Sequence, residues 1–229
     1  MIEPSNFVLQ VMRITLAEEN YLKVIYRLSQ PGEQHVSNLA IAGHLAVRPA
    51  TVTEMLRRLK EKRLVDYSRS NGATLTKAGA RVAVEIIRRH RLWETFLFRN
   101  LQFNWSEVHD VAEQLEHVRS EKLVEQLDRA LGYPKHDPHG DPIPDKRGTM
   151  PQVKSFPLTK GAANKPYRVV GVESREPAIL QFLNSIGLAM EDTVEIEEVH
   201  EFDKSIRVTV NGKFHTLLTA EVSRCLLVM

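Results

Sequence analysis

"VSNLAIAGHLAVRPATVTEMLRRLKEKRLVDYSRSNGATLT", residues 36–76, decides the architecture of the N-terminal part of the chain. It reads as two helices around a short break at Ala46–Arg48. Pro49 suits the first turn of the second helix, where its missing N–H is one that a helix start leaves unpaired anyway. Val52, Met55, Leu56 and Leu59 recur at helical spacing and face a core. Ala50, Thr51, Glu54, Arg57 and Arg58 take the opposite face. "LVDYSRSNGATLT" (64–76) then gives two short strands around Asn71-Gly72, a dipeptide favoured in tight hairpins. Upstream, Thr15 and Glu18 form a capping box for a helix with Leu22, Ile25 and Tyr26 on its apolar face, which Pro31-Gly32 ends. Helix, short helix, polar-faced second helix and basic hairpin make a winged helix-turn-helix over residues 1–77.

The charge is distributed to match. Net charge is only +2, yet residues 1–77 carry 11 Lys/Arg against 7 Asp/Glu, and the rest of the chain is slightly acidic. A local positive excess is the electrostatic footprint of a nucleic-acid partner, here double-stranded DNA. Arg48, Ala50, Thr51, Thr53 and Glu54, at the start of the second helix, are placed to meet base edges. Arg57, Arg58 and the hairpin's Arg69 are placed to meet phosphates. The single cysteine, Cys225, excludes a disulfide framework within the chain and a thiolate-rich zinc site. No basic, apolar leader opens the sequence, and no run approaches the roughly 20 apolar residues of a membrane span. A cytoplasmic protein without a membrane partner is expected.

Beyond residue 77, Thr76 is expected to cap a long helix, "KAGARVAVEIIRRHRLWETFLFRN" (77–100). Ser106 starts another helix through about His117, and Ser120 a third through Leu131. "GYPKHDPHGDPIPDKRGTMPQ" (132–152) holds too many prolines to stay helical. The remainder alternates as "YRVVGVES", "DTVEIEEVH" and "SIRVTVNGKFHTLL", with a helical "PAILQFLNSIG" between them and a turn at Asn211-Gly212. The fold class expected is therefore mainly α with small β: the winged helix over 1–77, a helical domain over 78–150, and a small SH3-like β-barrel over 157–229.

"VHDVAEQLEHV" (108–118) carries the chemistry. On a helical wheel with His109 at zero, Glu113 falls at about +40°, Glu116 at about −20° and His117 at about +80°. Val111, Leu115 and Val118 point the other way. On the preceding helix His90 and Glu94 lie four apart and share a face. Packing the two faces together brings three imidazoles and three carboxylates to one locus. Such mixed nitrogen and oxygen donors suit Mn²⁺, Fe²⁺, Co²⁺ or Zn²⁺, and a carboxylate-rich set without thiolate tilts toward Mn²⁺.

"HRLWETFL", "VHDVAEQLEHV" and "DPHGDPIP", following a winged helix, closely resemble the diphtheria-toxin-repressor family of metal-dependent transcriptional regulators. The resemblance covers nearly the whole chain, and its C-terminal part rests on architecture more than on motif. It implies a homodimeric repressor of metal-ion uptake genes, with Mn²⁺ as corepressor and Fe²⁺ as the alternative. It puts an ancillary metal site on His90, Glu94 and His109, and a primary, activating site on Glu113, Glu116 and His117 with help from Asn20. Glu113 stands where iron-responsive members have a cysteine. Two positions depart from the manganese-responsive pattern: Asn20 replaces an aspartate, and Lys23 replaces a glutamate. A protonated lysine cannot ligate, so the resemblance points to two separated sites rather than a binuclear one. In longer family members the SH3-like domain lends ligands to the ancillary site, and Glu173 and Glu176 are the candidates here. His136 and His139 read as structural turn residues. Dimerisation is expected around Val82–Leu101, where Trp93, Phe96 and Leu97 exceed what one small domain needs.

Two rivals belong to other classes. A di-metal hydrolase could use the same cluster, but no nucleophile or general base stands beyond the ligands, so the chain is not expected to be an enzyme. A winged-helix regulator answering a small molecule would bind DNA whether or not a chelator is present.

Overall fold

The computed structural model describes residues 14–29, 35–105, 107–151, 154–174 and 176–229. Pro31-Gly32 and Ser106, expected to bound helices, lie outside the described residues. The chain divides into two compact units, residues 1–89 with 144–149, and residues 90–143 with 150–229. The three segments 1–77, 78–150 and 157–229 are a division by sequence, and this division by contacts cuts through the middle one. The reason is one continuous helix, Lys77–Leu101, whose first half belongs to one unit and whose second half belongs to the other.

In the first unit, α1 (Leu16–Leu28) opens with the expected capping box. The Thr15 hydroxyl accepts from the Glu18 N–H at 3.3 Å, and the Glu18 carboxylate accepts from the Thr15 N–H at 2.8 Å. α2 (Asn38–Leu45) is capped by Ser37, and α3 (Pro49–Glu61) starts at Pro49. Leu22, Ile25, Ile41, Val52, Leu56 and Leu59 are fully buried in one core, with Met55 packed on its margin. Burying each such aliphatic side chain contributes about 1.5–3 kcal/mol.

The wing consists of β1 (Val65–Ser68) and β2 (Gly72–Leu75), paired antiparallel. Its turn differs from expectation: Asn71-Gly72 is not a two-residue hairpin loop, because Gly72 already pairs with Ser68 and residues 69–71 make the connection. The Ser68 hydroxyl accepts from the Asn71 N–H at 3.1 Å and holds that turn. Gly72, with φ +86°, has the Val36 carbonyl oxygen 2.3 Å from where a Cβ would stand, so the chain preceding α2 can pair with Ala73 only past a glycine.

Glu18 has a second task. Its buried carboxylate lies 2.7 Å from Lys62 Nζ. Burial alone raises its pKa, but the hydrogen bonds from Lys62 and Thr15 outweigh that and hold it below the ordinary 4.5. A depressed carboxylate contributes stability that is present above its unfolded pKa and is lost as pH falls through its folded pKa. Glu18→Gln should therefore cost about 1–2 kcal/mol at neutral pH. The difference in thermal midpoint between variant and wild type should close as the pH is taken below 4.5. A gap that stays constant on acidification would show that the carboxylate's charge contributes nothing.

In the second unit, the C-terminal half of α4 (Lys77–Leu101) is followed by α5 (Val108–Leu115) and α6 (Glu121–Ala130). α5 ends two residues sooner than expected: Glu116 is its C-cap and His117 lies in the turn beyond, although Glu116 keeps helical dihedrals. The face of α5 that packs against Leu97 is Val108 and Ala112, with Val111 and Leu115 half-buried at its margin. Val118, placed with Val111 and Leu115 away from the ligand face, is exposed. Trp93 and Phe96 are used within the chain, packing on Leu92, Leu127 and Ile143.

The C-terminal part is an antiparallel six-stranded sheet in the order β3-β8-β4-β5-β6-β7. These strands are β3 (Phe156–Pro157), β4 (Pro166–Val172), β5 (Thr193–Val199), β6 (Ile206–Val210), β7 (Phe214–Leu218) and β8 (Leu226–Val228). The expected helix is α7 (Pro177–Ser185), and a short α8 (Ala220–Cys225) leads into β8. Alternation puts Val194, Ile196, Val208 and Val210 inward, where they meet Leu183 of α7 and Trp105. No helix among the described residues is long and apolar enough to cross a membrane.

Candidate metal centre

The ligand-bearing residues converge in the second unit. α4 presents His90 and Glu94 one turn apart, α5 and its C-cap present His109, Glu113 and Glu116, and the turn after α6 presents Asp137 and His139. Their ligand atoms form three overlapping groups: His90, Glu94 and His109; His90, Glu113 and Glu116; and Glu94, Asp137 and His139. Within each group the atoms lie no more than 4.8 Å apart, close enough to surround one ion.

His90 is the hinge of the arrangement. Its Nε2 is 3.0 Å from Glu94 Oε1, and its Nδ1 is 2.7 Å from Glu116 Oε2. All three side chains are buried to within 1% of complete. Glu94 Oε1 also lies 3.2 Å from His109 Nδ1, and the two imidazole rings meet edge-to-face at 4.9 Å. His109 Nε2 is 3.6 Å from Glu113, and His117 Nε2 is 3.9 Å from Glu116.

Burial alone lowers the pKa of His90, but the carboxylates of Glu94 and Glu116 outweigh it, and the imidazole titrates above its ordinary range. Burial raises that of Glu94, but the imidazoles of His90, His109 and His139 outweigh it and hold the carboxyl well below the usual carboxylate range. Three fully buried carboxylates, Glu94, Glu116 and Asp137, are an expensive thing for a fold to keep. A divalent cation offsets that charge, and the donor set of nitrogen and oxygen fits one.

The third group was missed in the sequence. His139, read there as a turn residue, is 1% exposed, and its Nε2 meets the Trp105 carbonyl at 3.1 Å. An Nε2–H donated to a backbone carbonyl leaves Nδ1 as a lone pair, a tautomer and orientation common in metal-ligating histidines. That Nδ1 faces Glu94 Oε2 at 3.8 Å, too far for a hydrogen bond but a usual separation for two ligands of one ion. Asp137 Oδ1 accepts the N–H groups of His139 and Asp141 at 2.8 and 2.9 Å, and Oδ2 lies 3.8 Å from Arg91 Nε. The missed signal was "DPH": an aspartate and a histidine two apart, with Pro138 between them.

Other expected residues fall elsewhere. Glu173 and Glu176 are exposed and belong to none of the three groups. Glu173 instead lends its N–H to the Cys225 carbonyl, and Glu176 caps α7 by its backbone. His136 is half-buried, and burial lowers its pKa. Asn20 sits on α1 in the other unit, its Oδ1 buried and without a hydrogen bond among the described residues. Lys23, on the same helix, is buried.

Of the residues expected to meet DNA, Arg48, Ala50, Thr51, Glu54, Arg57, Arg58 and Arg69 are all exposed. Glu54 and Arg58 pair with each other along α3. Thr53 is half-buried and its hydroxyl is engaged within the fold.

Three family models match in sequence order. They are the iron dependent repressor N-terminal DNA binding domain at 14–73, the iron dependent repressor metal binding and dimerisation domain at 76–145, and the FeoA domain at 156–229. The chain is 33% identical over 126 residues to the iron-dependent repressor IdeR of Mycobacterium bovis, covering 55% of this chain and 54% of that protein. It thus spans about half the length of that relative. It is 32% identical over 124 residues to the HTH-type transcriptional regulator MntR of Oceanobacillus iheyensis, covering 54% of this chain and 82% of that protein. A solved manganese-dependent transcriptional repressor in complex with manganese superposes with a TM-score of 0.81 at 34% identity, over 93% of this chain and 99% of the other. A winged helix, a buried histidine–carboxylate centre and a C-terminal sheet, matched in that order along almost the whole length of a solved repressor, are the marks of one lineage, and the chain belongs to the iron-dependent repressor family.

Proposed function

We propose that the chain is a metal-activated DNA-binding repressor of metal-ion uptake genes, acting as a homodimer, with Mn²⁺ as its corepressor. The observation that supports this most is the burial of His90 between Glu94 and Glu116 in a chain that also carries a winged helix. A neutral imidazole has one lone pair and one N–H, so His90 can ligate through one nitrogen only. With Nδ1 directed to the Glu113–Glu116 side, Nε2–H donates to Glu94 and orients the ring. Glu113, Glu116 and His90 then hold the primary ion, which moves His90 out of the ancillary set that the resemblance implies, and His117 keeps the ligand role the resemblance gives it. Glu94, Asp137 and His139 hold a second, with His109 beside it. A cation bound there would add to the imidazoles the positive charge that offsets these closely spaced buried carboxylates.

Carboxylate and imidazole donors without a thiolate favour Mn²⁺ over softer ions, and the solved manganese-bound neighbour supports the same choice. Fe²⁺ is the alternative, since relatives named as iron-dependent also match. A regulator of this kind acts by binding metal more tightly in the DNA-competent geometry than in others. Leu101, Val118, Leu123 and Tyr133 leave apolar surface outward in the matched dimerisation segment, where a second copy has something to cover.

The test is the chelator-stripped chain on its own upstream DNA, titrated with Mn²⁺ at fixed salt. Binding that appears only with Mn²⁺ supports the reading; equal binding with and without metal sinks it. In the same assay Arg57→Ala should weaken binding to every duplex alike and reduce the slope of log K against log salt by about 0.9, one phosphate's worth of released counterion. An unchanged slope would remove Arg57 from the phosphate contacts.

A further inference from the structure

A cavity of about 550 Å³ lies in the first unit, lined among others by Ser37, Asn38, Thr53, Tyr67, Arg69 and Asn71. Its walls come from the start of α2, the first turns of α3 and the wing. Counting protons around it shows what is missing. Asn38 Nδ2 has two hydrogens, and it donates to Thr53 Oγ1 and to Tyr67 Oη, both at 3.0 Å. Thr53 Oγ1 passes its own proton to the Pro49 carbonyl at 3.1 Å. One amide thus straps α2 to α3 and to β1, and the Thr53 hydroxyl is spent on the strap. Tyr67 Oη only accepts from Asn38, so its own proton is left over, and no acceptor for it is found among the described residues. The tyrosine is 8% exposed and lines the cavity, so its ring is held by the fold and its hydroxyl is not free to swing away. A donor so placed costs stability unless something accepts from it.

We propose that the cavity takes one backbone phosphate of duplex DNA, that Tyr67 donates its hydroxyl proton to a phosphate oxygen, and that Asn38 is the positioning residue that aims it. This rests on the DNA-binding reading above and adds to it a named contact. Three observations favour a DNA phosphate as occupant. The Tyr67 O–H can donate to an acceptor such as a phosphate oxygen, the exposed Arg69 lines the same cavity, and the cavity opens between the recognition helix and the wing, the two elements that flank a duplex backbone. Thr53, expected to meet base edges, has its hydroxyl engaged in the strap.

The test uses the full chain loaded with Mn²⁺ and a duplex that the wild-type chain enriches from a random pool. Phosphates are replaced one at a time by neutral methylphosphonates. In the wild type, one position per half-site should stand out as costly. Tyr67→Phe should weaken binding about 5–10-fold, leave the salt slope unchanged, and erase the extra penalty at that one position only, measured at a temperature where circular dichroism shows the variant fully folded. Asn38→Ala should lose the same positional penalty while Tyr67 is intact. Wild-type affinity in Tyr67→Phe, or a uniform loss with the positional penalty retained, overturns the proposal. If millimolar inorganic phosphate at constant ionic strength removes the Tyr67-dependent part of binding, the occupant is a free anion and the DNA assignment falls. Should the Mn²⁺-loaded wild type enrich no duplex, the DNA-binding reading itself fails, an outcome distinct from all of these.

Discussion

Glu116→Ala should abolish Mn²⁺-dependent DNA binding across the concentration range in which the wild type responds. Glu116 is fully buried, and its Oε2 lies 2.7 Å from His90 Nδ1, so the alanine removes both a proposed ligand and the carboxylate beside the central imidazole. Loss of an outer-shell partner alone typically lowers metal affinity 10–100-fold, and a ligand lost from the ion itself should exceed that. We expect the Mn²⁺ concentration for half-maximal binding to rise by more than about 100-fold. Isothermal titration of the stripped protein should show the same loss without DNA. Glu116→Gln keeps volume and burial while removing the charge, and should weaken Mn²⁺ binding with a much smaller drop in melting temperature. Retention of wild-type Mn²⁺ affinity by both variants would take Glu116 out of the centre.

Gly140→Ala should be among the most damaging single substitutions in the second unit. Gly140 has φ +88°, in the left-handed region, and an added Cβ would stand 1.9 Å from the Val170 carbonyl oxygen and 2.3 Å from Gly171 Cα. These are backbone atoms of β4, so no side chain can swing aside. Either the turn or the strand has to move. The turn is tied down by the Val172 N–H donating to the His139 carbonyl at 2.7 Å and by the Gly140 N–H donating to the Asp137 carbonyl at 3.1 Å. We expect about 4 kcal/mol or more of destabilisation, measured by urea unfolding. The surviving folded fraction should lose cation binding at the site proposed for Asp137 and His139 before that proposed for Glu113 and Glu116. Wild-type stability in this variant would mean the turn yields more easily than its bonds imply.

The winged helix was legible because its signals are local: a capping box, a proline at a helix start, apolar residues at helical spacing. The capping of α1, the start of α3 and the buried set Leu22, Ile25, Val52, Leu56 and Leu59 follow from neighbours within a few residues of each other. The groups on α4 and α5 were legible for the same reason, since helical periodicity gathers His90 with Glu94 and His109 with Glu113. What periodicity cannot give is which turn comes back to meet a helix. Asp137 and His139 sit more than 40 residues from Glu94 in sequence, and only the folded chain joins them. The same limit misplaced the wing turn, because the carbonyl that demands Gly72 belongs to Val36, on a segment preceding the hairpin. It also hid β3 and β8, too short to show alternation, and the Asn38 strap, whose three members are polar residues of ordinary type.

All the donors in the three metal-ligand groups are nitrogen or oxygen, and the one cysteine, Cys225, lies in α8 and in none of them. A thiolate ligand climbs through sulfenic to sulfinic acid when peroxide rises, and a centre built on one reports oxidant as well as metal. Imidazole and carboxylate have no such ladder. The dose–response of DNA binding to Mn²⁺ should therefore be the same before and after peroxide treatment, and the chain should go on registering how much cation is present through an oxidative burst.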